Sequence, residues 1–219
     1  MNNPDLAQHY GIDGCQNGWL ISSIKKNKIN YQFSPTLTKF PFEPNATITI
    51  DMPLELPKTI DDYPKKSEQQ AKKILGQRHS CIFYAPLATW LQLPYETINE
   101  QCTNHAKPKL SKQSYQLFPK IIELQTFKKQ SLHLKQYESH PECVFQLLNQ
   151  NVPLPSKKTS PGIEIRINLL NEHLLTGIQH KILTDDPLLE DIIDSLSMLW
   201  VSINITKRAL DADFNQLIL

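Results

Sequence analysis

His9-Tyr10-Gly11-Ile12-Asp13-Gly14-Cys15 is a run of β-forming residues that ends on a lone carboxylate flanked by glycine. Thr47-Ile48-Thr49-Ile50-Asp51-Met52-Pro53 repeats the arrangement, with proline closing it. β-Branched and apolar residues halted by Gly or Pro read as strands. A strand that ends on aspartate sets a charge at the rim of a sheet, where a ligand can reach it. A third acidic string, Glu190-Asp191-Ile192-Ile193-Asp194, opens an apolar helix near the C-terminus. Carboxylates gathered from separate elements are how proteins hold Mg²⁺ or Mn²⁺, because hard cations want oxygen ligands. The three strings point to metal-dependent phosphate chemistry.

Around these strings, residues 19–25 and 29–33 read as strands joined by a tight hairpin at Lys26-Asn27. Residues 35–44 form a connection with one short helical turn, and 46–51 supply a fourth strand. Residues 67–75 have helical spacing with Gly76 as the stop, whereas 77–112 show no clear period. Residues 111–127 read as helical, divided by Pro119, and 133–138 return as a strand. Pro141 leads a helix to Leu148, 153–161 form a loop, and 164–175 a further helix. The final helix is expected to be capped by Asp185 or Asp186, with Pro187 in its first turn. Its apolar positions are Leu189, Ile192, Ile193, Leu196, Leu199, Trp200 and Ile203. This order of elements is that of an α/β fold with a mixed sheet.

At 219 residues the chain is long enough for one large domain, or a domain with a sizeable insertion. Hydrophobic content of 40% with 21% charged residues is that of a soluble globular protein. The opening residues lack the basic-then-apolar pattern of a signal peptide, and no apolar run spans a bilayer, so no membrane partner is expected. Cys15, Cys81, Cys102 and Cys143 are scattered without a C-x-x-C pair, which argues against zinc and for reduced thiols in the cytoplasm. Net charge is only +1, but residues 63–135 carry 12 Lys/Arg against 4 Asp/Glu, and the remainder 11 against 18. Such segregation can steer a polyanion such as nucleic acid to one side, or can simply be a lysine-rich solvated surface.

Each candidate has a bland counterpart. Asp13 between Gly11 and Gly14 can cap a hairpin turn, or stand where backbone amides approach a phosphate. Asp51 ends an apolar strand and needs a partner, either a cation or another polar group. Asp191 and Asp194 share one side of their helix, but the apolar arc is centred on Leu196 and leaves them largely opposite. On that wheel they are a solvated first turn complementing the helix dipole. His140-Pro141-Glu142 supplies a base and an acid beside Cys143, with Cys143 expected in the core and Glu142 facing the site. Ser156-Lys157-Lys158-Thr159 followed by Gly162 suits phosphate contact without the spacing of a Walker motif.

Taken together, the chain resembles domain of unknown function family 429, the predicted nucleases with an RNase H-like fold. The matching segments run in order along almost the whole sequence. They begin with 11–15, Gly18-Trp19, 50–53 and Leu56-Pro57, and continue through 71–76 with Arg78, Phe83 and Pro86. Leu110-Ser111-Lys112-Gln113, 120–123, 138–142 with Phe145, 156–159 with Gly162 and Arg166, and 191–195 complete the set. Departures are Gln16 in place of Arg, Gln125 in place of Asp, Glu190 in place of the first acid of the last motif, and a blurred stretch at 65–68. The resemblance implies a single RNase H-like domain over 1–219, whose five-stranded mixed sheet opens with three antiparallel strands. A basic, largely helical insertion over roughly 60–132 separates strands four and five, and the last helix packs on the sheet. It also implies a nuclease whose acids lie on the first strand, the fourth strand and the last helix. Asp13, Asp51, Asp191 and Asp194 would hold Mg²⁺ or Mn²⁺, with Glu142 as a further catalytic carboxylate. Lys157, Lys158, Arg166, Ser111 and Gln113 would contact substrate. Two rivals are an actin-like or sugar-kinase-type phosphotransferase and a catalytically silent nucleic-acid-binding module.

Overall fold

The computed structural model describes residues 8–176, 178, 182 and 186–205. Five strands, β1 (His9–Cys15), β2 (Gly18–Lys25), β3 (Lys28–Ser34), β4 (Thr47–Ile50) and β5 (Lys135–Glu138), make one sheet. Their order is β3-β2-β1-β4-β5. The first three form an antiparallel meander, and β4 and β5 add in parallel to β1. The sheet is therefore mixed, in the arrangement expected of an RNase H-like fold. Lys26 and Asn27 both take positive φ, 50° and 56°, as a two-residue turn matched to strand twist requires.

Between β4 and β5 lie the helices α1 (Lys66–Leu75), α2 (Tyr95–Asn104), α3 (Lys112–Gln116) and α4 (Phe118–Gln130). Two 3₁₀ stretches, Gly76–Cys81 and Ala88–Gln92, interrupt them. A 3₁₀ turn has three residues per turn and runs short, so 76–92 carries no 3.6-residue period. α2, within the stretch that shows no clear period in sequence, is an α-helix that buries only Ile98 and Cys102. Pro119 sits in the first turn of α4, where its missing N–H costs nothing, and so separates α3 from α4.

After β5 come α5 (Pro141–Leu148), α6 (Ser160–His173) and α7 (Leu189–Asn204). Two helix starts differ from expectation. α6 begins at Ser160 rather than 164, because the Thr159 hydroxyl accepts the Gly162 N–H at 3.2 Å and Pro161 fits the first turn. α7 begins at Leu189, which leaves Pro187 outside it. Asp186 closes a separate turn: its carboxylate accepts the Leu188 N–H at 2.8 Å and its carbonyl the Leu189 N–H at 3.0 Å. Asp185, the alternative cap, lies outside the described residues.

Each face of the sheet buries a core. Tyr10, Ile12, Ile21, Ile48 and Ile50 point to one face, against Leu37, Trp90, Ile121, Leu124 and Phe127. Cys15 and Leu20 belong to the other core, with α5, α6 and α7. Successive strand side chains alternate between faces, so Gly11 and Asp13 lie on the α7 side with Cys15. Every residue of α7 from Ile192 to Ser202 is buried. The wheel reading, which assigned one face of this helix to water, is corrected here: the sheet lies on one side and α5 and α6 on the other. Small residues permit the approach, with the Ser22 and Ser195 hydroxyls 2.6 Å apart. Among the described residues no helix is long and apolar enough to cross a membrane.

Candidate functional site

β1, β4 and β5 run parallel, and an acid stands near the C-terminal end of each: Asp13 within β1, Asp51 just after β4 and Glu138 closing β5. Ile12 pairs with Ile50 and Ile50 with Glu138. The ladder continues one step further, through Asp51 N–H to the Ile12 carbonyl at 3.0 Å and Ser139 N–H to the Ile50 carbonyl at 3.2 Å. Asp13, Asp51 and Ser139 are thereby set in a row by backbone hydrogen bonds, at the strand ends where α/β proteins place ligands, with Glu138 one residue earlier, in register with Ile50. Asp13 is within β1, opposite Leu20, so it does not cap the hairpin turn.

These acids line a cavity of about 430 Å³ together with Asp194 of α7, Glu142 of α5, Gln113, Lys157 and Lys158. Asp191, one turn earlier, is half-buried and stands outside the lining. It still raises the Asp13 pKa, which makes it a peripheral member of the cluster.

The carboxylates of the cluster act on one another's charge. Asp13 is pushed well above the ordinary carboxylate range, by burial first and then by Asp194, Asp51 and Asp191. Burial also raises Asp51, to about 7, and Asp194, to about 6, against the lowering effect of Lys157 on both. Lys157 donates to Asp194 Oδ2 at 2.5 Å. Burial alone would lower its ammonium pKa, but Asp194, Asp13 and Asp51 outweigh that and hold it above its usual value. One lysine is thus the internal counterion to three carboxylates.

Glu142, expected as a catalytic carboxylate, lines the cavity with its charge already held by two arginines. Both its oxygens accept from Arg166 Nη2, at 3.0 and 2.7 Å, and Arg78 Nη2 stands 3.1 Å away. Arg166 is 1% exposed and also donates to the Pro155 and Gly162 carbonyls. It cannot meet a substrate, and its assignment as a substrate contact is corrected: it ties the Lys157 loop to α5 and α6. Ser111 is likewise the cap of α3, accepting the Ser114 N–H at 3.0 Å, and stands outside the cavity lining. Breaking a buried ion pair leaves the surviving charge uncompensated. Arg166→Met is therefore expected to cost about 3 kcal/mol in denaturant unfolding, with much of it recovered in Arg166→Met/Glu142→Leu. No recovery in the double variant would show that Arg166 acts through its backbone contacts alone.

His140 is not a free base. Its Nδ1 accepts the Glu142 N–H at 3.2 Å, so Nε2 carries the proton and donates to the Cys81 carbonyl at 3.2 Å. Burial lowers its pKa, against Asp194 and Glu142. The neighbouring Cys143 is 1% exposed, with its thiol pushed to about 12 by burial, so it belongs to the core as expected.

Several lining residues were not picked out as candidates from sequence. Glu138 accepts from Lys65 Nζ at 2.7 Å and from the Leu54 N–H at 2.9 Å. Glu68, raised by burial to about 7, accepts the Ala85 N–H at 2.7 Å. Glu138 carried the same signal as Asp51, a β run ending on an acid. Glu68 carried none, because its partner lies in a loop seventeen residues on.

One family model, described as protein of unknown function (DUF429), matches residues 11–211. No curated protein and no solved structure matches the chain.

Proposed function

We propose that this chain, which belongs to that family, hydrolyses phosphodiester bonds of DNA or RNA with a divalent cation, Mg²⁺ or Mn²⁺. The observation that carries the reading is the convergence of Asp13, Asp51 and Asp194, from two adjacent strands and the helix facing them, on one lysine. Among the described residues no three acidic, His or Cys side chains are already closed to ligating distance. The donor set nevertheless fits a hard cation: all its ligands are carboxylate oxygens, and Asp194 Oδ1 is buried with no hydrogen-bond partner.

Asp13, Asp51 and Asp194 would hold the cation, with Asp191 at its outer edge. A bound divalent ion lowers the pKa of an attacking water and stabilises the leaving oxygen. The chain's own residues bind and orient. Lys157 and Lys158 offer two ammonium groups at the cavity for phosphate oxygens, which position a strand without reading its bases. Glu142, clamped by Arg78 and Arg166, fixes the start of α5 and with it one wall of the cavity.

The test is cleavage of mixed single-stranded, duplex and junction oligonucleotides in Mn²⁺ against EDTA. Wild type should cut only with the cation. Asp51→Asn should be slower by about a hundredfold or more, since loss of even an outer partner of a metal ligand costs that order. Equal cleavage in EDTA, or by Asp51→Asn, would remove the assignment. Cation binding without cleavage of any substrate would leave the chain as a silent binding module.

A further inference from the structure

The carboxylate cavity has a second wall of opposite character. Met52, Phe83, Tyr84, Leu117 and Ile121 line it beside the amide of Gln113 and the hydroxyl of Ser114. Phe83 is 38% exposed, although a phenyl ring is among the side chains most readily buried. Tyr84 is held from behind: its ring meets Tyr63 edge-on at 5.8 Å, and Lys72 Nζ stands 4.0 Å from its centroid. An exposed ring, Phe83, beside a half-buried ring already fixed by its neighbours, Tyr84, is a surface for a flat partner, and fixing the second ring beforehand lowers the ordering cost of binding.

A phosphodiester substrate has such a flat group one sugar away from each phosphate. The cavity of about 430 Å³ falls within the roughly 300–1,000 Å³ of small-molecule sites. A paired base is locked in its stack and enters such a pocket only if it is extruded, whereas an unpaired base enters freely. We infer that the Phe83–Tyr84 wall receives one unpaired base, so that the substrate is single-stranded or presents an extruded nucleotide. Resting on the hydrolytic reading above, this makes the phosphate next to that base the one delivered to Asp13, Asp51 and Asp194. Tyr84 also lines a shallow groove that carries Lys58 and Lys66. Both lysines are exposed, and with Lys107 they outnumber Asp61 and Asp62 in the same groove, which leaves a small cationic excess for the continuing strand.

The test is binding in EDTA, so that no cleavage occurs, read by anisotropy of labelled oligonucleotides. The probes are a single strand of about eight nucleotides, a blunt hairpin duplex, and the same hairpin with one bulged nucleotide. The single strand and the bulged hairpin should bind at least about tenfold tighter than the blunt one, as expected for one stacked base. Phe83→Ala should remove about tenfold of that affinity, as should Gln113→Trp, which plugs the mouth from an exposed position. Phe83→Ala should not alter binding of the blunt hairpin. Equal affinity for all probes, no binding, or no effect of either variant would overturn the assignment. So would a nucleoside monophosphate that competes as well as the strand, because the pocket would then serve free nucleotides. Phe83-dependent binding without Mn²⁺-dependent cleavage would keep the pocket and discard the hydrolysis. Duplex cleavage indifferent to Phe83 would do the reverse.

Discussion

Asp13→Asn is expected to keep or raise the stability of the cation-free protein while abolishing its response to Mn²⁺. Asp13 is 7% exposed and is driven well above its usual pKa by burial and by three other carboxylates. Its ionised form is therefore a repulsive element in the fold that Lys157 relieves only in part. A carboxylate whose folded pKa is raised keeps its proton at a pH where the unfolded chain has already released it. Unfolding then releases protons, so this contribution is intact below about pH 4 and is lost as pH rises through the folded values. With Asp194 at about 6 and Asp51 at about 7, the thermal midpoint of wild type should fall between pH 4 and 7. The amide removes one of the interacting charges and flattens that fall. A cation at about one hundred times its Kd should stabilise wild type by about 2.7 kcal/mol, and Asp13→Asn by nothing measurable. Thermal unfolding across pH, with and without Mn²⁺, checks both halves. A variant that gains as much from Mn²⁺ as wild type would show that Asp13 is not a ligand.

The strand half of this site could be read from sequence because β alternation fixes which way a side chain points. Once 9–15 and 47–50 are strands, Gly11, Asp13, Thr49 and Asp51 share a face, and parallel pairing brings the two acids to one edge. The helix half could not be read in the same way. A wheel assumes one wet face, but α7 is covered on both sides, so its Asp194 is buried despite lying off the main apolar arc. Arg166 misled for a related reason. The family resemblance implies a substrate contact there, and the carboxylate that consumes its charge, Glu142, is 24 residues away in the chain. The 77–112 segment carries little periodic signal because its 3₁₀ turns have no helical period and its one α-helix, α2, buries only Ile98 and Cys102. That segment supplies Phe83, Tyr84 and Ala85 to the cavity, so the apolar wall was the least legible part of the site.

Gly11→Ala should prevent α7 from seating on the sheet, with a loss of stability above about 4–5 kcal/mol, the range reserved for severe steric or packing faults. The fault is one of space, since Gly11 lies mid-strand, opposite Ser22 in β2 and Thr49 in β4. A methyl group there would stand 2.0 Å from the Ser195 carbonyl oxygen, 2.1 Å from Leu199 N and 2.7 Å from Leu199 Cα. All three are backbone atoms of a helix, so no side-chain rotation clears them. The helix would have to retreat, giving up the Ser22–Ser195 contact and the hydrogen bond from Ser202 to the Thr47 carbonyl at 2.8 Å. It would also carry Asp194 away from Asp13. Gly14→Ala is the matched control in the same strand, where the nearest atom to a new methyl is Lys120 Cδ at 3.2 Å, on a side chain that can move. That change should stay within about 1 kcal/mol of wild type. Denaturant unfolding separates the outcomes. If Gly11→Ala unfolded at the wild-type midpoint, α7 would not rest against β1, and the meeting of Asp194 with Asp13 and Asp51 would lose its structural basis.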